Sequence, residues 1–220
     1  MGEVIRTAMI AAPLLSVWVC LSGSTVVFAQ ADVEEVAADT RTGTIRGTIE
    51  ARSERYRENT VVYIDHAAGD FQPLQKHPVV DQKSLVFRPY VTVITKGTTI
   101  DFLNSDDVKH NIFSPSPVAD DMNLGTYSSD EVRHWTFNTI GEAVLLCNIH
   151  SEMEAWVIVR QNPYFAVTDK SGDFEIKDVP AGSHTLKIWN KKYSALPQEV
   201  AVEAGETVQV SLELNRKKER

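Results

Sequence analysis

The sequence predicts an all-β chain built as two small sandwiches, and three observations carry that prediction. Short alternating apolar–polar runs recur along the chain, turn residues separate them, and no stretch keeps a helical period over three turns. In order, "TIRGTIEA" and "TVVYID" are the first two strands. "LVFRPYVTVITKGTTIDFLN" runs into "VTVIT", turns at Lys96-Gly97 and continues as "TIDFL". "RHWTFNTIGEAVLLC" has the same form with Gly141 as its turn, and "WVIV" follows. Asn162-Pro163 break the pattern. Beyond the break, "DFEI", "HTLKIW", "QEVAV" and "VQVSLEL" are separated by "KSG", "VPAG" and "EAG".

These runs divide into two units. Residues 76–160 form one. The segment 162–216 is too short for a full sandwich, and the strands within 43–66 supply what it lacks. The chain is therefore expected to leave one domain, build another and return. Polar, acidic residues 32–42 read as a flexible leader, and 217–220 as a solvated basic tail.

Residues 1–31 read as an export signal. Arg6 precedes an apolar run from Ala8 to Leu21, and Ala29 and Ala31 occupy the small-residue positions of an A-x-A cleavage site. The alternatives are an uncleaved anchor, against which stands an apolar core too short to span a bilayer comfortably, and a lipoprotein anchor on Cys20, against which stands Val19, larger than the residue such a cleavage site normally needs. Cleavage near Asp32 removes Cys20 and leaves Cys147 alone in an oxidising periplasmic or extracellular compartment, with no membrane insertion. A lone thiol there must be buried, paired between chains or held by a metal. Thirty Asp plus Glu against 22 Lys plus Arg argue against nucleic acid or anionic lipid as a partner.

The chemistry gathers in "CNIHSEM". Cys147 ends an apolar strand, His150 sits in the following turn, and Met153 lies just before the next strand. Thiolate, imidazole and thioether are the soft and borderline ligands copper prefers in both oxidation states. A fourth donor comes from "SDDVKHNIFS", where His110 is read in the loop after "TIDFL". Two histidines and a cysteine with a weak methionine bond make a blue-copper electron-transfer arrangement. Three ligands in one tight loop and a fourth on a separate one resist the relaxation that costs reorganisation energy at each electron transfer. Asn111 is a second candidate support, able to bridge the two loops and hydrogen-bond the thiolate. His150, in the exposed turn, is the candidate path for electrons.

These residues bring a resemblance. "FRP", "VTV" with "GTTIDFLN", "HNIF" and "CNIHSEM" together resemble the cupredoxin family, the plastocyanin and amicyanin group, over residues 76–160. The C-x-x-H-x-x-M spacing is similar to the compact loop of amicyanin, though Ser151 stands where amicyanin has a proline. The resemblance implies a Greek-key β-sandwich holding one type 1 copper on His110, Cys147, His150 and Met153. "TDKSGDFEIKDVPAGSHTLKIW" resembles a carboxypeptidase-regulatory-like, transthyretin-like sandwich, whose opening strands match "GTIRGTI" and "VVYID" upstream. The whole is similar to bacterial proteins labelled methylamine-utilisation or plastocyanin-like, a label that does not establish a part in methylamine metabolism.

Plainer readings stand beside these. A lone cysteine is by default an inert buried thiol. Zinc accepts Cys and His but gains little from a thioether. His66, His77, His134 and His184 have no ligand-spaced neighbours in sequence, and His134 reads as a strand-face residue. Met122 in "DDMNLGTY" is either packed near the metal or solvent-facing. Trp135, Trp156 and Trp189 read as core. Asp106, Asp107, Asp120 and Asp121 read as soluble surface or as a dock for a basic partner such as a c-type cytochrome. The expected function is an exported one-electron carrier serving an oxidase or dehydrogenase, not an enzyme, because a coordinatively full copper has no open position. The rivals are a copper carrier delivering to an oxidase and a metal-free interaction module.

Overall fold

The computed structural model describes residues 41–217. Residues 1–40, on which the expected export signal and most of the expected leader fall, and residues 218–220 lie outside the described residues. Among the described residues eighteen strands follow one another: β1 (Thr42–Glu50), β2 (Val61–Ile64), β3 (Val79–Gln82), β4 (Phe87–Arg88), β5 (Val91–Thr95) and β6 (Thr99–Asn104) come first. Then come β7 (His110–Phe113), β8 (Asn123–Tyr127), β9 (Arg133–Thr136), β10 (Gly141–Leu146), β11 (Glu154–Arg160) and β12 (Phe165–Val167). The last are β13 (Asp173–Pro180), β14 (Gly182–Trp189), β15 (Tyr193–Ser194), β16 (Gln198–Val202), β17 (Thr207–Glu213) and β18 (Asn215–Arg216). Among the described residues the helical pieces are two 3-10 turns, Glu54–Tyr56 and Pro117–Ala119. The fold is all-β.

Two pairs of sheets carry the structure. The sheets β5-β11-β10-β7-β8 and β4-β3-β6-β9 share one apolar core, in which Ile94, Ile100, Phe102, Ile112, Leu145 and Val157 are fully buried. The sheets β13-β1-β17 and β12-β2-β14-β16 share another, built on Ile45, Ile49, Val62, Ile64 and Leu186. Thus β1 and β2 pair with strands that lie beyond residue 160, while β3 to β11 pair among themselves.

Local sequence explains the corners. β5 and β6 lie in different sheets, so Lys96-Gly97 turns the chain from one layer to the other rather than closing a hairpin. Gly97 has φ +85°, and a Cβ there would come within 2.9 Å of Pro73. In β1, Gly47 is needed for a different reason. A side chain would meet the Val210 carbonyl oxygen at 2.5 Å and the Phe174 ring at 2.6 Å. A central strand flanked this closely on both sides accepts only glycine at that point.

"VTVIT" is buried at every position, which an ordinary half-exposed strand would not be. Its inner face joins the first core. Its outer face, through Val91 and Val93, joins a third cluster with Val61, Tyr63, Ile158 and Trp189. "VVYI" of β2 behaves alike: Val62 and Ile64 face the second core, Val61 and Tyr63 the third cluster. That cluster ties the two sandwiches together. Trp156 and Trp189 lie 5.3 Å apart across it, and the Arg160 guanidinium stacks 3.7 Å above the Tyr63 ring. At its edge Glu154 accepts hydrogen bonds from Tyr90 (2.8 Å), Trp156 (3.1 Å) and Lys191 (2.5 Å). Burial pushes the Glu154 carboxyl up, but the Lys191, Tyr90 and Trp156 donors outweigh that and hold it below the ordinary glutamate range.

Several elements depart from the sequence reading. The leader gives way to β1 at Thr42, because that end of the strand is paired with Pro180 and Val179 of β13. His110 opens strand β7 instead of lying in a loop, and "NLGTY" is strand β8, paired with it from His110↔Tyr127 to Phe113↔Asn123. Met122 is 1% exposed within the first core, which removes the solvent-facing reading. The basic run "NRKKER" reads as a solvated end, yet its first two residues, Asn215 and Arg216, pair with β15.

On β11, Ile158 faces the third cluster and is fully buried. Ile158→Ala should cost about 2–5 kcal/mol in chemical denaturation, whereas Leu196→Ala, at 85% exposure, should stay within about 0.5 kcal/mol of the parent.

Candidate metal centre

Strand register assembles this site. β10 and β11 pair antiparallel with Leu146 opposite Glu154. One further step along that ladder sets Cys147 opposite Met153. Both side chains point inward: Cys147 continues the buried row Ala143, Leu145, and Met153 opens the buried row Ala155, Val157, Val159. Cys147 is 5% exposed and Met153 1%, and both belong to the first core. His150 falls at the middle of the connecting loop, and its carbonyl accepts the Met153 N–H at 3.1 Å.

The second side of the site comes from β7. Leu146 pairs with Phe113, so the same antiparallel ladder, continued past β10, leads Asn148 to Asn111. Asn111 Oδ1 accepts the Asn148 N–H at 2.7 Å, a bond that fastens the loop just after the cysteine. On β7, His110 shares its face with Ile112 and is fully buried. One donor atom each from His110, Cys147 and His150 lies within 4.8 Å of the others. The two Nδ1 atoms are 3.0 Å apart, with ring centroids at 4.8 Å.

His110 has a partner the sequence did not announce. Its Nε2 lies 2.9 Å from Asp106 Oδ2. With the proton on Nε2 directed at that carboxylate, the Nδ1 lone pair is left facing His150. Asp106 is itself held: its oxygens accept the Ser84 N–H at 2.6 Å and the Leu85 N–H at 2.9 Å. Ser84 and Leu85 have φ +58° and +60° at the tip of the β3–β4 hairpin, closed by Lys83 N–H to the Val86 carbonyl at 3.0 Å. Such a turn usually takes Asn-Gly. Leu85 is strained there, and the carboxylate compensates by capturing both amides. Burial raises the Asp106 pKa, but the Leu85 and Ser84 amides and His110 together bring it below the ordinary aspartate value. Asp106 is therefore a built part of the site and not, as its sequence context implies, a charge of the soluble surface. Asp107, Asp120 and Asp121 remain exposed.

The residues fit a single ion. Two imidazole nitrogens at roughly 2.0–2.1 Å from one centre, as in zinc sites, stand roughly 3 Å apart when their bonds open at about 95°. The separation of the two Nδ1 atoms matches. The set is two nitrogens, one sulfur and a buried thioether in the same core, which suits a soft or borderline cation.

Comparison with known proteins adds likeness of a limited kind. Residues 141–210 match the model of polysaccharide lyase family 4, domain II. That span is under half of the chain. No curated protein matches. Among solved structures, a reduced amicyanin variant is 18% identical, over 40% of this chain and 92% of its own, at a TM-score of 0.37. A purple cupredoxin from Nitrosopumilus maritimus is 20% identical over 37% of this chain and 98% of its own, at 0.34. A copper-containing nitrite reductase from Thermus scotoductus SA-01 is 25% identical over 44% of this chain and 25% of its own, at 0.36. Likenesses this slight decide nothing. The fold rests on the strand pairing described above.

The carboxylate's double duty gives a direct check. Asp106→Asn should lower stability by about 1–3 kcal/mol in urea denaturation, since two amides and an imidazole lose a charged acceptor. Asp107→Asn, its exposed neighbour, should change stability by less than about 0.5 kcal/mol.

Proposed function

We propose that this chain binds one copper ion through His110, Cys147, His150 and Met153 and carries single electrons between redox proteins outside the cytoplasm. The observation that carries the reading is the meeting of one donor atom each from His110, His150 and Cys147 within 4.8 Å, the two histidine Nδ1 atoms 3.0 Å apart. Copper bound there would supply a one-electron couple. Zinc would accept the cysteine and the histidines, but a thioether adds little for it, and Met153 sits across the ladder from Cys147 in the same buried core.

The chain's own part is to hold the donors still. His110 is fixed by Asp106, the loop after Cys147 by Asn111, and Met153 by its amide bond to His150. Ile112, Met122 and Tyr127 surround them with buried apolar side chains that exclude water. His150 is half-buried where His110 is fully buried, so the route to the surface runs through His150. Exposed apolar residues lie on the segments that build the site: Ile149 next to His150 in sequence, Leu85 and Val86 on the hairpin that holds Asp106, and Val108 two residues before His110. Exposed apolar side chains of this kind suit a transient dock for a redox protein such as a c-type cytochrome or an oxidase.

We further take the first sandwich to be inserted into the second, which serves as its brace, and the mature chain to be periplasmic or secreted. The composition of residues 1–31 and the lone cysteine that remains support the latter.

Adding Cu(II) to the mature protein should produce an intense visible thiolate-to-copper charge-transfer band that Cys147→Ser abolishes. A colourless protein that takes up only Cu(I), or rapid loss of copper to a chelator, would favour a carrier instead.

A further inference from the structure

A second group of metal-ligating side chains lies outside the copper pocket. In β6 the residues alternate, with Ile100 and Phe102 fully buried and Asp101 between them facing outward. Register sets Asp101 opposite His134 on β9 and opposite Val79 on β3. The Asp101 N–H also donates to the Pro78 carbonyl at 2.9 Å, which draws the residues just before β3 alongside. His77 and His134 therefore flank Asp101 from its two sides. His77 Nδ1 is 2.7 Å and His134 Nδ1 2.8 Å from the same oxygen, Asp101 Oδ1. One donor atom from each of the three residues lies within 4.8 Å of the other two.

The site is separate from the Cys147 pocket. Three residue steps of strand, roughly 10 Å, separate Asp101 from Asn104 at the end of β6 that leads toward Asp106 and His110. His77 and His134 are 45% and 57% exposed, whereas His110 is buried.

We propose that His77, Asp101 and His134 form a surface site for a borderline divalent transition-metal ion such as Zn2+. Two imidazoles and one carboxylate are donors for zinc and its neighbours. Calcium and magnesium are disfavoured because they take oxygen ligands and two of the three donors here are imidazole nitrogens. No thiol is present to favour Cu(I). Three protein donors leave one position of a tetrahedral ion open, and the exposure of both histidines leaves that position facing solvent, where water or a donor from another molecule can fill it. Sequence spacing hides the group, since its members lie 24 and 33 residues apart and meet only through sheet register.

The test follows the imidazole NMR signals of His77 and His134 individually while Zn2+ is added to the mature chain, with calorimetry in parallel. A Cys147→Ser chain removes the thiolate donor from the other pocket, so success or failure here is independent of the copper reading. Should that variant fold poorly, the unsubstituted chain gives the same residue-specific NMR readout, with one further equivalent of Zn2+ allowed for the Cys147 pocket. Both histidine signals should shift together at one added equivalent. In His77→Ala or His134→Ala the binding step should disappear and the remaining histidine should stop responding, with melting unchanged because both side chains are on the surface. Unshifted His77 and His134 signals, or the same Zn2+ isotherm in parent and both alanine variants, would overturn the proposal.

Discussion

Everything at the candidate centre depends on the pairing of β10 with β11. An antiparallel ladder that ends with Leu146 against Glu154 leaves Cys147 and Met153 as the next residue on each side, and both are buried in the first core. A slip of β10 by one residue would turn Cys147 to the opposite face and bring Asn148 in. The apolar rows below them, from Ala143 to Leu145 and from Ala155 to Val159, hold the register because they fill the first core. The loop between has five residues and carries His150 at its centre. Adjacent β7 then delivers His110 from the far side of the same sheet.

Around this hairpin the structure devotes its polar contacts to rigidity. Asp106 joins a strained turn on β3–β4 to the imidazole of His110, and Asn111 joins β7 to the loop. Glu154, one residue past Met153, is held by Tyr90, Trp156 and Lys191, the last from beyond β14. The second sandwich thus reaches to the base of the metal loop, and the buried cluster of Val61, Tyr63, Ile158 and Trp189 extends that hold under β11. A site whose donors are fixed from three directions has little room to relax, which fits the one-electron role proposed above.

The legible part of this site was its local part. Cys147, His150 and Met153 stand in one short stretch, and period-two alternation in the flanking strands is enough to turn two of them inward. His110 was legible as a residue but not as a strand residue. "HNIF" is short, begins with polar side chains and is buried at His110, Asn111 and Ile112, so it shows no alternation. "NLGTY" hid for a related reason, with Gly125 at φ +68° and four of its five residues not buried. Asp106 could not be told from Asp107, because only the hairpin amides of Ser84 and Leu85, 22 and 21 residues away, distinguish them. The His77–Asp101–His134 group was invisible for the same reason. Pairing between distant strands creates it, and no spacing in the chain records that pairing.

One ion should sit between the paired hairpin and β7, and anomalous diffraction at the copper edge from copper-loaded crystals tests this most directly. One peak is expected, bonded at once to Nδ1 of His110, Nδ1 of His150 and Sγ of Cys147, with Asp106 still on Nε2 of His110. A metal peak away from that pocket, or one bonded to Nε2 of His110 with the thiol uncoordinated, would contradict it.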